Sequence, residues 1–274
     1  MPRPDDEYDD YQRDNDRPRP RRKSNTQTVL IVLLIVGLVL LVCGAPICIG
    51  LLLPAVQKVR EAANRQVSHN NLVQIGLAMH SHDVTAGEVP NNSYGPDGKP
   101  LLSWRVHILP YLGENDLYQR FKLDEPWDSP NNIRLLDQMP KVYANPTERT
   151  TGPTRTYYRG FSSPGAVFEH KPGDGKVRAA NNKLRFADFQ DGTSTTVLVV
   201  EAGQPVEWTK PDDLDGSPGK PFPPLGGQRL APQKFQALMA DGTVKLLNLN
   251  MPETTLRALV THNGHEPLPA GWDQ

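Results

Sequence analysis

Hydrophobic and polar positions divide the chain into three regions. No charged residue occurs between Val29 and Leu53, a run of 25 residues. As a helix this run measures roughly 37 Å, against a bilayer hydrocarbon core of about 30 Å. We therefore predict a membrane-spanning helix over residues 29–53, a preceding tail over residues 1–28 and a following domain over residues 54–274.

A helical pattern follows the apolar run directly. Apolar residues recur at spacings of three and four, at Val56, Val59, Ala63, Val67, Leu72, Ile75 and Met79. Such a stripe is typical of an amphipathic helix that lays one face on a sheet. The polar residues 68–71 interrupt the stripe, so the pattern allows either one long helix or two helices with a hinge.

The C-terminal half of the chain predicts short strands. The candidates are TYYRGFS, AVFE, KLRFADF, TSTTVLVVEA and KFQALMADGTVKLLNL. In the last of these, Asp241-Gly242 lies between two β-rich runs, which predicts a two-residue type I′ hairpin. A helix followed by antiparallel strands favours an α+β domain in which the N-terminal helix packs on the sheet.

A proline- and glycine-rich stretch over residues 208–232 separates two of these strands. It contains the large apolar side chains of Trp208, Phe222 and Leu225. Because these side chains would otherwise stand in water, we expect the stretch to be ordered by packing on the body of the domain.

The distribution of charge predicts the topology of the chain. The sequence has 30 Lys and Arg and 31 Asp and Glu, a net charge of −1, so nothing indicates a nucleic-acid partner. Basic residues cluster before the apolar run, from Arg13 to Lys23, and are fewer after it. The positive-inside rule therefore places the N-terminus in the cytoplasm and residues 54–274 outside the cytoplasmic membrane. The proline- and charge-rich tail, residues 1–28, is predicted to be disordered.

The apolar run is predicted to be retained as an anchor. Gly44-Ala45 resembles a signal-peptidase site, but Pro46 follows it, which that enzyme disfavours. Neither Cys43 nor Cys48 is preceded by the small residue that a lipoprotein signal requires. Since both cysteines lie within the run, the predicted exported domain has no disulfide and no thiol nucleophile.

Two histidine pairs are candidate metal ligands. His80 and His82 are two residues apart, so on a helix their side chains point to different sides. His262 and His265 have a ligand-like spacing, but Asn263-Gly264 between them breaks the helix that would align them. We interpret both pairs as surface histidines.

The turn FADFQDGTSTT offers two carboxylates. Asp188 and Asp191 have the oxygen ligands that calcium prefers, yet Asp and Gly are also the usual residues of a tight turn. The turn is the favoured interpretation, and calcium binding stays open. Similarly, Tyr157, Tyr158 and Arg159 form either a ligand-contacting edge or part of a buried strand, and the buried strand is favoured.

The sequence contains no nucleophile elbow, no phosphate-binding glycine loop and no paired zinc motif. We therefore predict no catalytic, metal or cofactor site, and a protein that is not an enzyme.

Several strings, in order along the chain, resemble one bacterial family. They are LLLPAVQKVREAANR, NNLVQIGLAMH, SWRVHILPYL, LDEPWDSPNN, FADFQDGTS, VVEA, WTKPDDL, ALMADGTVKLL and LRALVTHNG. The chain is similar to the DUF1559 family of unknown function, which is related to type IV pilin-like and type II secretion pseudopilin-like proteins. The resemblance covers roughly Leu51 to His265. It implies a pilin-like extracytoplasmic α+β domain on an N-terminal helix, with no established activity.

The chain departs from this family in two respects. Many relatives begin with a prepilin leader that ends at a glycine cleavage site, followed by an apolar helix with a glutamate near its start. Here the run opens with TQTVLI and contains no glutamate, so assembly through that glutamate is not expected. Relatives also often carry cysteines where this chain has Ser68 and Asn145, and loss of both is what a paired disulfide would predict.

Together these observations predict a non-enzymatic, single-pass cell-envelope protein. Its expected partners are the lipid bilayer and envelope proteins, including further copies of itself. The alternative is a tethered ligand- or glycan-binding module built around Trp104, Trp127 and Trp208. Exposed tryptophans in a concave pocket would favour the alternative, and buried ones a structural role.

Overall fold

The computed structural model describes residues 25–39, 45–144, 146, 152–169, 183–227 and 233–273. It contains two compact units, Met1–Val56 and Gln57–Gln274. Most of the predicted cytoplasmic tail, residues 1–24, lies outside the described residues, as do residues 40–44 of the predicted membrane span.

The described residues contain five α-helices and four strands. The helices are α1 (Thr26–Val39), α2 (Ala45–Ala86), α3 (Trp104–His107), α4 (Asn115–Arg120) and α5 (Glu253–Ala258). The strands are β1 (Arg155–Arg159), β2 (Val197–Glu207), β3 (Lys234–Met239) and β4 (Val244–Asn248). Short 3₁₀ helices occupy Leu109–Leu112, Asn132–Gln138, Lys141–Tyr143 and Phe186–Asp188.

Helix α1 and the start of α2 occupy most of the predicted membrane span. The 14 residues of α1 carry no charge, and its described side chains are exposed. Within the described part of the chain, no helix has both the length and the apolar content needed to cross a bilayer.

Helix α2 runs without a break over 42 residues, so the single-helix alternative is confirmed and the hinge is not. The two halves of its apolar stripe differ in burial. Leu72, Ile75 and Met79 are fully buried, as predicted, whereas Val59 is 68% exposed. Val56, Ala63 and Val67 are exposed as well, so the prediction that this first half faces a sheet is wrong. Among the described residues, burial of the helix begins at Ser68.

The four strands form one antiparallel sheet in the order β1-β2-β3-β4, each strand next to its neighbour in sequence. Apolar side chains cover both faces, which explains the near-continuous burial of β2 and β3. On one face Leu198 and Leu238 join the cluster that contains Ile75 of α2. Gly76 lets Leu238 approach the helix backbone, because a Cβ there would lie 2.9 Å from the Leu238 side chain.

The opposite face of the sheet packs against the C-terminal segment. Val200, Ala237 and Leu247 of the sheet cluster with Leu259 and Val260, which follow α5. The stretch after β2 also lies here, where Phe222 and Leu225 pack against this cluster. The prediction that this stretch is ordered by packing is therefore confirmed for its described part, residues 208–227.

The β3–β4 hairpin is present, but its turn differs from the predicted type. Leu238 pairs with Val244, and Met239 and Thr243 are joined by a backbone hydrogen bond of 2.8 Å, which leaves a three-residue loop. Only Gly242 in this loop has a positive φ, 85°, whereas a type I′ turn needs two such residues. The geometry is that of a three-residue loop with a left-handed glycine.

Two of the predicted strands are also wrong. KLRFADF forms a 3₁₀ turn at Phe186–Asp188, which places Phe186 and Phe189 in the same cluster. In a strand, side chains three residues apart would point to opposite faces. AVFE begins at Ala166 and forms a turn rather than a strand. Gly165, directly before it, has a φ of 75°, and Ala166 makes only one isolated bridge, to Thr261.

Replacing Ile75 by alanine tests where α2 packs. Deleting a fully buried aliphatic side chain is expected to lower the free energy of unfolding by about 2–5 kcal/mol. The control is Val67→Ala in the same helix, because Val67 is 47% exposed, and a change within about 0.5 kcal/mol is expected. Urea denaturation followed by tryptophan fluorescence measures both, and equal losses would contradict the assignment of the buried face.

Candidate functional site

A buried arginine stands at the junction of several segments. Arg105 follows Ser103, whose side chain caps the start of α3 by accepting from the Arg105 backbone N–H at 3.3 Å. The backbone N–H of Ser103 donates to the carbonyl of Thr209 at 2.9 Å, so the strings SWR and WTKPDDL run side by side. The Arg105 side chain is fully buried as a result.

The guanidinium of Arg105 is held by acceptors from three parts of the chain. Nε donates to the carbonyl of Tyr158 in β1 at 3.0 Å. Nη1 donates to Ser103 Oγ and, at 3.4 Å, to the carbonyl of Lys210. Nη2 lies 3.8 Å from Oδ1 of Asp213, whose side chain is also fully buried.

Asp213 binds three further donors. Oδ1 accepts from the Gly160 backbone N–H at 3.0 Å and from Trp104 Nε1 at 3.3 Å. Oδ2 accepts from Asn92 Nδ2 at 2.6 Å, and Asn92 Oδ1 in turn accepts from the Trp104 backbone N–H at 3.0 Å. We call Asn92, Trp104, Arg105 and Asp213 the Arg105 centre.

The electrostatics of the Arg105 centre keep its guanidinium charged. Burial lowers the pKa of Arg105 to about 10, and the carboxylate of Asp213 opposes this effect. The guanidinium therefore stays protonated at neutral pH. Because a buried charge is tolerated only when it is paired and hydrogen-bonded, this centre acts as a cross-link between α3, β1 and the segment after β2.

A shallow cavity of about 260 Å³ adjoins the Arg105 centre. Its lining residues are Arg159, Gln204, Asp213, Leu214, Asp215, Pro223 and Pro224. Arg159 is already engaged, since Nη2 donates to Asp212 Oδ1 at 2.7 Å and Nε donates to the Asp212 carbonyl at 2.9 Å. Ligand pockets usually measure about 300–1,000 Å³, so the volume of this cavity lies below that range.

A second polar cluster joins α2 to the sheet. Ser68 Oγ donates to Glu201 Oε1 at 2.5 Å and lies 2.8 Å from Tyr158 Oη. Glu201 Oε2 accepts from the Gln236 backbone N–H at 2.9 Å, and Gln236 Nε2 donates to the Arg65 carbonyl at 3.1 Å. We call Ser68, Tyr158, Glu201 and Gln236 the Glu201 centre. It connects one helix to three strands.

Burial raises the pKa of the Glu201 carboxyl, and the hydrogen bonds from Ser68 and Gln236 only partly offset this effect. The folded protein therefore binds the Glu201 proton more tightly than the unfolded chain does. Asn145, which the family resemblance pairs with Ser68, lies outside the described residues.

The histidines singled out in the sequence occupy separate environments. The His80 ring packs on Phe186 with centroids 4.2 Å apart, while His82 Nδ1 lies 2.8 Å from the carbonyl of Glu88. His262 and His265 both contact the turn at Asp191, whose backbone N–H donates to the His262 carbonyl at 3.1 Å and whose Oδ1 accepts from the His265 backbone N–H. In the described parts of the chain, no group of three or more potential ligands is placed to hold a metal ion.

Asp188 and Asp191 serve as turn residues in the structure. Asp188 Oδ2 accepts from the Arg185 backbone N–H at 2.9 Å. Asp191 binds the backbone N–H groups of Gly264 and His265, each at 2.7 Å. The two carboxylates thus bond to different segments, in agreement with the turn interpretation.

The aromatic candidates are largely internal. Tyr157 and Tyr158 are buried in β1, as the strand interpretation predicts. Trp104 and Trp208 are fully buried, with Trp208 Nε1 donating to the Leu136 carbonyl at 2.9 Å. Only Trp127 of the three tryptophans is partly exposed, and it lies 5.9 Å from Lys210 Nζ.

Sequence reasoning missed both polar centres. One feature of the sequence could have predicted the Arg105 centre. Arg105 is a single charge within the apolar string SWRVHILPYL, and WTKPDDL contains aspartates. An unpaired charge in such a string implies a buried partner. Nothing in the sequence indicates which aspartate that partner is.

The described residues form an α+β domain with a four-stranded antiparallel sheet and an N-terminal helix, α2, on one face. Residues 57–222 match the model of a family described as a protein of unknown function (DUF1559). The chain belongs to this family, and the match includes α3, β1, β2 and both members of the Arg105–Asp213 pair. No curated protein and no solved structure matches the chain.

Arg105→Met tests the ion pair. The change removes the cation and leaves the Asp213 carboxylate buried, so the free energy of unfolding is expected to fall by about 3–5 kcal/mol. The control is Lys220→Met, which breaks the exposed Lys220–Asp215 pair and should cost less than about 1 kcal/mol. Urea denaturation of both variants measures the difference, and similar losses would argue against a structural role for Arg105.

Glu201→Gln tests the electrostatics of the second centre. Because the folded-state pKa is raised, the stability that Glu201 contributes is present below its ordinary pKa of about 4.3 and is lost as the pH rises through the raised value. Glutamine does not titrate, so the variant does not lose stability in this way. The free energy of unfolding of the variant should therefore rise relative to that of the native protein from about pH 4.3 upward. Parallel pH profiles of the two proteins would contradict the raised pKa.

Proposed function

We propose that this chain is a non-enzymatic, single-pass membrane protein of the bacterial cell envelope whose pilin-like domain acts through protein–protein contacts. One observation carries the proposal: α2 begins at Ala45, inside the uncharged run Val29–Leu53, and ends at Ala86, after the residues that pack on the sheet. A helix satisfies its own backbone hydrogen bonds, so a single element can serve in lipid and in a folded domain.

The charge pattern supports the orientation. The basic residues from Arg13 to Lys23 precede the run, which favours a cytoplasmic N-terminus, and residues 54–274 are then extracytoplasmic. The two buried polar centres support a structural rather than a chemical role, because their charged groups are used to join segments of the domain. We therefore interpret the domain as a rigid module on a permanent tether.

The ligand-binding alternative has less support. It relied on an aromatic surface formed by three tryptophans, and Trp104 and Trp208 are fully buried. A ligand could still bind in the shallow cavity beside Arg159, but the guanidinium of Arg159 is already hydrogen-bonded to Asp212.

Membrane fractionation and protease accessibility test the proposal. The full-length chain is expected to resist carbonate extraction, because the apolar run is held in the bilayer. In spheroplasts, added protease should degrade the domain and leave a protected fragment that ends near residue 54, while a cytoplasmic marker protein stays intact. Extraction into the soluble fraction, or a domain degraded only after lysis, would exclude the proposed anchor or orientation.

A further inference from the structure

The face of α2 that points away from the sheet carries a regular pattern. From Val59 to Val84, positions separated alternately by four and three residues lie on one side of the helix, opposite the buried face. Those that are exposed are Val59, Ala63, Gln66, Asn70, Val73, Leu77 and Val84, and we call them the outer ribbon. The remaining position, His80, is partly covered by Phe186.

This spacing is the heptad pattern of a coiled coil. Val59, Gln66 and Val73 fall at d positions, and Ala63, Asn70, Leu77 and Val84 at a positions. In the sequence the same spacing continues upstream at Val56, Leu52 and Ile49. A helix that only packs on its own sheet needs one apolar face, which Leu72, Ile75 and Met79 already supply.

The ribbon is exposed although five of its seven residues are apolar. Val59 and Leu77 are each 68% exposed and Val84 is 81% exposed. A row of this length is comparable with the largest apolar patch of a typical monomeric protein, about 300–600 Å², and such patches are often interaction sites.

We propose that the outer ribbon is the contact through which two copies of this chain pair, with their α2 helices side by side and parallel. This inference rests on the proposed function, because the shared anchor makes the two helices parallel and concentrates them in the membrane. It adds the identity of the partner: a second copy of the chain.

Three features favour a second copy over another protein. The ribbon is self-complementary, since a heptad row interdigitates with an identical row. It contains no charged residue, so symmetric pairing brings no like charges together. Asn70 is the single asparagine at an a position, the placement that selects a two-stranded parallel pair in register, because it then faces its own copy.

The size of the ribbon indicates that the tether is needed. Twenty-six helical residues are about 39 Å long, and with a helix diameter of about 10 Å the strip covers roughly 400 Å² on each copy. The total is below the about 1,200 Å² of standard stable interfaces. Confinement to a membrane raises the effective concentration and compensates for the small area.

Cysteine crosslinking in native membranes tests this pairing. In the full-length chain, Cys43 and Cys48 are first replaced by alanine, and Val59→Cys, Leu77→Cys or Glu61→Cys is then introduced singly. Glu61 is exposed on the other side of α2, two residues from Val59, so it is the matched control. Brief oxidation is expected to give at least tenfold more disulfide-linked dimer from Val59→Cys and Leu77→Cys than from Glu61→Cys.

A charge placed in the ribbon provides the second readout. In the Val59→Cys chain, Leu77→Glu is expected to reduce the dimer at least tenfold, whereas Gln57→Glu, an exposed position off the ribbon, leaves it unchanged. Equal crosslinking of Val59→Cys and Glu61→Cys, an absence of dimer, or a crosslink to a different protein would each overturn the inference. The proposed function is judged separately, because carbonate extraction and protease accessibility of the same membranes report the anchor whether or not the chain pairs.

Discussion

Burying a guanidinium group obliges the surrounding chain to supply acceptors and a counter-charge, and three separate segments of this domain meet at Arg105 to supply them. Arg105 takes its acceptors from Tyr158, Ser103 and Lys210 and its counter-charge from Asp213. These residues come from the start of α3, from β1 and from the stretch after β2. Loops rich in proline and glycine are thereby held in one arrangement, and the aromatic side chains between them become buried.

Helix α2 carries a different apolar pattern on each of two sides. On the inner side, the Glu201 centre and the Leu72–Met79 stripe hold it against the sheet. On the outer side it presents the exposed apolar ribbon. A single helix can do both because residues three or four apart share a face, so two independent patterns fit around one axis.

Much of the fold was predictable from local pattern. The burial of Leu72, Ile75 and Met79, the four strands of the sheet, and the α+β class all follow from periodicity and composition. The errors arose where a pattern has two physical solutions. An apolar stripe at Val56–Val67 can face a sheet or a partner helix, and an Asp-Gly turn can close a two- or a three-residue loop.

The sequence by itself determined the apolar run, its charge asymmetry, the helical and strand segments and the family, because each depends on neighbouring residues or on strings read in order. Only the tertiary structure decided that Arg105 pairs with Asp213, that Ser68 reaches Glu201 and that the first half of the α2 stripe stays exposed. Ser68 and Glu201 are 133 residues apart and Arg105 and Asp213 are 108 apart. Contacts at such separations depend on how the sheet brings distant segments together, and no local pattern of hydrophobic and polar residues encodes that arrangement.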